Sequence, residues 1–451
     1  MSRTLRATAL AGVLALAVSG CGGVGGSDDD SGGGSSGGAG ALTTMGFGLP
    51  DEIAKTRVET FRKNNPGVDL KITEGAFDEQ QFLSAIASGN APDVIYLDRK
   101  LIGTYAKRGA LQPMTDCVAD QQIDMEQYRP AARAQVTVDG VVHGIPEFYS
   151  VRVVYMNEAL LREAGLTPDD VDLSDWAALP ALNAKLAKVS GGKVSRIGID
   201  PKIPEFLPMW AKANGFDMLS ADGRTANLTD PKLAETLQVG LDLIAAQGGW
   251  GKFKSFRDTF DFFGVKSPLA QNQIAVWPME EWFLNQVAKN TPKAELVVKP
   301  FTDRQGKPLT EAGGQAWAIP KGAKNPQAAC TFAKQMTSVE TWFAAAKARQ
   351  EARKAAGQLF TGVYTGNSRA DERIFNELYQ PSGNKRFDDG VQVIRSVQDV
   401  AYSSPPSPAG AEFDKAWTSA INRVLAGQEQ PAQALARAQR EATAALDKAA
   451  K

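Results

Sequence analysis

From Leu42 onward the chain alternates short apolar runs with longer segments whose apolar residues recur every three or four positions. Leu42 to Met45 reads as a strand that stops at Gly46-Phe47-Gly48. A helix follows Pro50, with Asp51 and Glu52 in its first turn, where carboxylates complement the helix dipole. Its apolar positions are Ile53, Val58 and Phe61, and Pro66-Gly67 stops it. Val68, Leu70 and Ile72 alternate as a strand. Phe82, Leu83 and Ile86 lie on a helix that ends at Gly89-Asn90. Val94 to Leu97 is an uninterrupted apolar strand, and Leu101 to Arg108 is a helix stopped by Gly109. Such repetition predicts an α/β fold with a largely parallel sheet and helices on both faces. Sheets of this kind bind ligands at the carboxyl ends of their strands, where Gly46, Phe47 and Asp98 stand.

The pattern is interrupted between Asp139 and Leu166. A turn at Gly140 leads into the short strand Val141 to Val142, and a stretch punctuated by Gly144 and Pro146 leads into a second strand, Val151 to Tyr155. A helix starting near Asn157 and ending at Gly165 closes the unit. The stretch carries Glu147, Phe148, Tyr149 and Arg152, side chains suited to sugars and other neutral polar ligands. Helical spacing then dominates, from a helix opened by Asp175-Trp176 to the Leu233, Leu237, Leu241 and Ile244 series, with strands at Arg196 to Ile199 and Ile274 to Trp277. Residues from Glu340 to the end read as helical, broken at Gly362 to Ser368 and at Pro405 to Pro408.

Composition narrows the function. The 451 residues are 43% hydrophobic and 22% charged, enough for two lobes with real cores. Lys plus Arg (50) balances Asp plus Glu (51), so the basic footprint of a nucleic-acid binder is missing. The one histidine, His143, excludes a multi-His metal site and a pair of His-based acid–base roles. No cofactor or metal is expected. Residues 1–20 read as a signal peptide: Arg3 and Arg6, then an apolar run from Ala7 to Val18 that is too short to span a bilayer as a mature helix. Val18-Ser19-Gly20-Cys21 looks like a bacterial lipobox with cleavage before Cys21; the alternative is an ordinary secretion signal with an incidental cysteine. Residues 21–41, rich in Gly, Ser and Asp, read as a flexible tether. Outside the cytoplasm Cys117 and Cys330 can pair as a disulfide or stay as two buried thiols.

Several of these stretches resemble one family in order and spacing. D-G-V-V-H-G-I-P with Y-M-N-E-A-L-L-R-E-A-G-L resembles a signature of the extracellular solute-binding proteins of ABC importers, the family that includes maltose-binding protein. F-R-K-N-N-P-G-V-D-L-K-I, S-G-N-A-P-D-V-I-Y-L-D and Y-A-K-R-G-A-L-Q-P-M are similar to its first lobe, and G-G-Q-A-W-A-I-P-K-G-A from Gly313 to its return crossing. The closing helices match as well, so the resemblance runs from Leu42 to the C-terminus. It departs at Met279-Glu280-Glu281, where the family carries a glycine before its cleft tryptophan.

The resemblance implies a two-lobed periplasmic-binding-protein-like fold of type II: residues 42–144 and 313–360 in lobe 1, residues 145–312 and 361–451 in lobe 2. It implies a protein that captures a solute, foremost a mono- or oligosaccharide, between the lobes and delivers it to membrane permease subunits. Localisation is extracytoplasmic, on the membrane through lipidated Cys21, and the chain is expected as a monomer. The expected ligand contacts are Trp282, Trp317, Tyr149, Glu147, Arg152, Asp98, Phe47 and Phe206. Aromatic rings would cover the C–H faces of a sugar while charged groups bond its hydroxyls. Core packing is the competing role for Trp210 and Phe206, and a hinge salt bridge for Glu147 and Arg152. Two other classes stay open: a secreted glycosidase, using a carboxylate pair drawn from Glu147, Glu280 and Glu281, and a solute sensor or adhesin on the same fold.

Overall fold

Two five-stranded sheets organise the chain, and the computed structural model describes residues 41–450 of it. The expected signal peptide, Cys21 and the tether through Gly40 lie outside the described residues. In the first sheet Ala41–Met45 pairs in parallel with Asp69–Thr73 on one side and Val94–Asp98 on the other. Gln315–Ala318 then pairs antiparallel with Val94–Asp98 and with Ile145–Pro146. Parallel order therefore holds for the three N-terminal strands. It ends where the chain returns from the other lobe, because the returning strand inserts head to tail.

Side-chain alternation puts a separate core on each face of this sheet. Trp317, Phe61 and Phe332 pack on one face; Ala316, Ala318, Phe82 and Tyr105 pack on the other. The helix Glu52–Asn64 covers the first face, started by Asp51, whose carboxylate accepts from the Ala54 amide at 3.0 Å.

The second sheet is ordered Leu296–Pro300, Arg152–Asn157, Ile274–Glu280, Lys193–Ile199, Lys188–Ser190. One pair is parallel, Ile274–Glu280 with Lys193–Ile199. Arg152–Asn157 is buried at every position, which is why it reads as an unbroken apolar run with a polar residue at each end. Asn157 caps the following helix, Glu158–Glu163, as expected. The helix expected from Asp175-Trp176 begins later, at Leu179; residues 175–178 form a turn that the Asp175 carboxylate closes on the Ala177 and Ala178 amides.

Three passages link the lobes. The first runs from Pro146 to Arg152 and the return from Glu311 to Gln315. The third, around residues 361–367, bonds to the first through Gly366 N to Glu147 O at 2.7 Å. Residues 363–379 pack on both lobes. Val363, Ala370 and Ile374 meet Ile53 and Trp342 of the first lobe, while Tyr364, Phe375 and Tyr379 join the second lobe's core. The last two helices, Gly410–Leu425 and Pro431–Ala449, pack on the second lobe through Phe413, Trp417, Ile421 and Leu435.

Candidate functional site: the cleft between the lobes

One buried side chain joins the first passage to the return. Arg99, fully buried just past the strand Val94–Asp98, donates to the carbonyls of Phe148 on the first passage and of Gly313 and Gln315 on the return. Its Nε donates to Gln135 at 3.0 Å. Burial without a paired carboxylate pushes the guanidinium down to about 10, still charged at neutral pH. Gly314 lies at φ +127°, and a Cβ there would sit 2.1 Å from the Phe148 carbonyl, so this close crossing requires glycine. Glu281 ties the second sheet to the first passage: its carboxylate accepts from Ser150 Oγ at 2.6 Å and the Val151 amide at 2.9 Å. Burial pushes that carboxyl up to about 8.

Because Gln315 stands opposite Asp98 and Glu280 opposite Arg152, the carboxyl ends of strands in both sheets meet the same passages. Residues past those strand ends form two groups, one on each lobe. The first-lobe wall is a pocket of about 440 Å³ whose lining includes Phe47, Glu74, Tyr96, Glu147, Phe148 and Trp342. Its carboxylates are already engaged, while Arg57 Nε and Trp342 Nε1 are buried without a hydrogen-bond partner. Glu147 is buried in an ion pair with Arg57 and accepts from the Tyr96 hydroxyl, and Glu74 accepts from the Leu49 amide at 3.0 Å.

The second-lobe wall gathers Asp200, Lys202, Glu205, Arg257, Glu280 and Trp282 beyond the ends of Lys193–Ile199 and Ile274–Glu280. Arg257 lies 3.6 Å from Asp200 and 3.8 Å from Glu205, and Lys202 lies 4.0 Å from Glu280. These are ion pairs at long range, and Asp200 Oδ2, Arg257 Nη1 and Glu280 Oε2 are buried with no hydrogen-bond partner in the protein. Such atoms are costly unless something polar meets them. Trp282, half-buried, opens the helix Trp282–Asn290 directly after this cluster, and its ring stacks against Phe263.

The expected contacts divide accordingly. Trp282 stands at the second wall, and Phe47 and Glu147 line the first-wall pocket. Asp98 is exposed at the last position of its strand and caps the next turn, accepting from the Lys100 amide at 2.9 Å. Trp317 is corrected from contact to core: Phe47, Tyr96 and Phe332 surround its fully buried ring. Tyr149 is likewise buried, with Arg99 and Arg129 over its ring and its hydroxyl on the Gln398 carbonyl. Phe206 is buried between Arg152 and Lys202. Arg152 donates to the Glu311 carbonyl and lies 3.8 Å from the Glu311 carboxylate, so it braces the return passage.

Sequence reasoning missed Tyr96, Arg99, Asp200, Arg257 and Phe263. The rule that ligands sit past the carboxyl ends of strands already pointed at Asp98 and applies equally to Asp200. Arg257 and Phe263 carry no such signal, because a helix and a loop bring them in. A second cavity of about 360 Å³ lies between the lobes, lined by Lys100 of the first and by Lys212, Tyr402 and Asp414 of the second, and has none of the eight expected contacts in its walls. Among the described residues no cluster of His, Cys, Asp and Glu could hold a metal ion, and no helix is long and apolar enough to cross a membrane. Cys117 and Cys330 are joined as a disulfide that fastens the helix Thr115–Asp120 to Pro326–Met336.

Known proteins share this architecture. The arabinooligosaccharide-binding protein of Bacillus subtilis (strain 168) is 23% identical over 413 residues, covering 87% of this chain and 89% of that protein. Among solved structures, CpMnBP1 with mannotriose bound superposes with a TM-score of 0.72 at 24% identity, over 89% of this chain and 99% of that one. An ABC substrate-binding protein from Listeria monocytogenes in complex with cycloalternan gives 0.71 at 19% identity, over 90% and 99%. These likenesses establish the two-lobed type II fold. A family model described as bacterial extracellular solute-binding protein matches residues 56–351, more than half of the chain, and the chain belongs to that family.

Proposed function

We propose that this protein is the substrate-binding lipoprotein of an ABC importer that captures a carbohydrate in the interlobe cleft and hands it to membrane permease subunits. The observation that carries the carbohydrate reading is the second wall. Asp200, Arg257 and Glu280 each keep one polar atom without a hydrogen bond, and the half-buried indole of Trp282 follows Glu280 by two residues; hydroxyls and apolar C–H faces suit such a combination. The names of the relatives agree, since each of those described is a saccharide binder or is bound to a saccharide. Ligand bridging both walls would stabilise the closed form by its extra affinity for that form.

The chain is read as a binder and not an enzyme. Glu281 and Glu147, two of the three carboxylates a glycosidase could use, are engaged by the first passage and by Arg57. Lipidation of Cys21 would hold the protein as a monomer at the outer face of the membrane. A thermal-shift screen over mono- and oligosaccharides tests the reading, followed by incubation of the best ligand with the protein. A rise in melting temperature with the sugar recovered intact is expected; released product would overturn it. Cys21→Ala should move the protein from the membrane fraction to the medium.

A further inference from the structure

Beyond Arg99 the first lobe keeps touching the second. The turn Arg99–Leu101 runs straight into the helix Ile102–Lys107, whose Ile102 and Tyr105 are buried in the first lobe's core. Other residues of this stretch reach across at intervals of three or four positions, the spacing of one helix face. Lys100 lies 3.5 Å from the Glu311 carboxylate on the return passage. The hydroxyl of Thr104, fully buried, donates to the Ser407 carbonyl and accepts from the Ala411 amide, both at 3.3 Å. Arg108 pairs with Glu412. Ala411 and Glu412 open the helix Gly410–Leu425, which is buried in the second lobe's core, and Ser407 leads into it.

Glycines fix how close the two surfaces come. A Cβ on Gly103 would sit 2.6 Å from the Ser407 amide nitrogen, so first-lobe backbone meets second-lobe backbone with no side chain between them. The same loop is seated in its own lobe at Gly223. A Cβ there would sit 2.1 Å from the Pro406 carbonyl oxygen, and the Ser407 hydroxyl donates to the Gly223 carbonyl at 2.7 Å. The run Pro405-Pro406-Ser407-Pro408, which the sequence marks only as a break in helical pattern, is thus bonded into the second lobe and pressed onto the first. Its three prolines restrict the backbone, so it acts as a stiff strut.

We propose that residues 405–408 form a fourth, noncovalent link between the lobes, and that the stretch 99–108 is their pivot. At one end of the stretch Arg99 grips the first and return passages; further along, Gly103, Thr104 and Arg108 grip the strut and the helix after it. Two separated grips on one rigid element fix an axis. Rotation of the lobes about that axis keeps both grips, whereas drawing the lobes bodily apart breaks one of them. The link holds whatever the cleft binds.

The test reads the interlobe distance directly. Spin labels on Lys63→Cys of the first lobe and Ala234→Cys of the second, both exposed helical positions, are placed in the full chain carrying Cys21→Ala. Cys117 and Cys330 are bonded to each other and take no label. Without added ligand the distance distribution should be a single narrow peak. Gly103→Ala, which forces the strut off its seat, should widen it roughly twofold, and Thr104→Val, which keeps the shape but removes both hydrogen bonds, should widen it less. Asp139→Asn is the control: Lys107 of the same helix pairs with Asp139 inside the first lobe, so this change should leave the distribution as it is. Circular dichroism checks that each variant folds; if Gly103→Ala does not, Thr104→Val combined with Arg108→Gln takes its place with the same expected widening. A broad wild-type distribution, no widening in the strut variants, or equal widening by Asp139→Asn would overturn the pivot.

Discussion

The two walls of the cleft are made from similar residues and put them to opposite uses. On the first wall Glu147 is closed into Arg57 and Tyr96, Glu74 into a backbone amide, and Phe47 sits under Tyr96 and Trp317. On the second, Asp200, Arg257 and Glu280 keep atoms without partners, and Trp282 and Phe263 hold ring surface toward solvent. The carboxylates of the first wall are bonded within the protein, leaving only Arg57 Nε and Trp342 Nε1 unbonded, while those of the second each keep a free oxygen. Affinity should therefore reside mainly in the second wall, and stability in the first wall and the passages.

Four measurements put that contrast at risk. The largest effect should come from Arg99→Met, which removes a charged donor from three buried carbonyls. At roughly 1.5–3 kcal/mol for a hydrogen bond to a charged group, the loss should reach about 3 kcal/mol or more in urea denaturation. A loss below about 1 kcal/mol would deny Arg99 its role as the clamp. Trp282→Ala should weaken the sugar found in the screen at least tenfold, about 1.4 kcal/mol, with the fold unchanged. Unchanged affinity by calorimetry would reject that contact.

Paired substitutions then compare the walls directly. Asp200→Asn or Glu280→Gln should each cost about fivefold in affinity, near 1 kcal/mol for one hydrogen bond, whereas Glu74→Gln on the first wall should cost less than twofold. Equal losses would erase the distinction.

The last measurement is a pH dependence. Burial raises the Glu281 carboxyl from 4.5 to about 8, so the folded chain keeps a proton that the unfolded chain releases. That stabilisation is complete below about pH 4.5 and is lost as pH rises to about 8. Melting temperatures across this window should fall with pH, and Glu281→Gln should flatten part of the slope.

The sequence made the fold legible wherever one periodicity persisted. Leu42, Leu70 and Val94 mark three parallel strands that the structure places side by side. Asn157 and Gly165 closely bracket the helix observed between them. What local pattern does not carry is the partner of a side chain. Glu147 and Asp200 are both buried carboxylates beside a proline near a strand end, yet only contacts from distant residues decide that one is bonded at both oxygens and the other at one. Trp317 misled for the same reason, since its glycine neighbours advertise a crossing while its ring points into the first lobe. Phe263 was hidden among phenylalanines whose burial a sequence cannot rank.

Arg99 also governs how such a molecule can change shape. Because one rigid guanidinium grips the first and return passages at Phe148, Gly313 and Gln315, those strands cannot slide past one another. Their backbones continue the grip through Ser150 and Gly313, bonded in both directions at 2.8 and 3.0 Å. Bending is then left to the strands acting together, as a single ribbon. If the lobes move, the bend would then fall on that ribbon and on the third passage around residues 361–367, which bonds to it at Glu147.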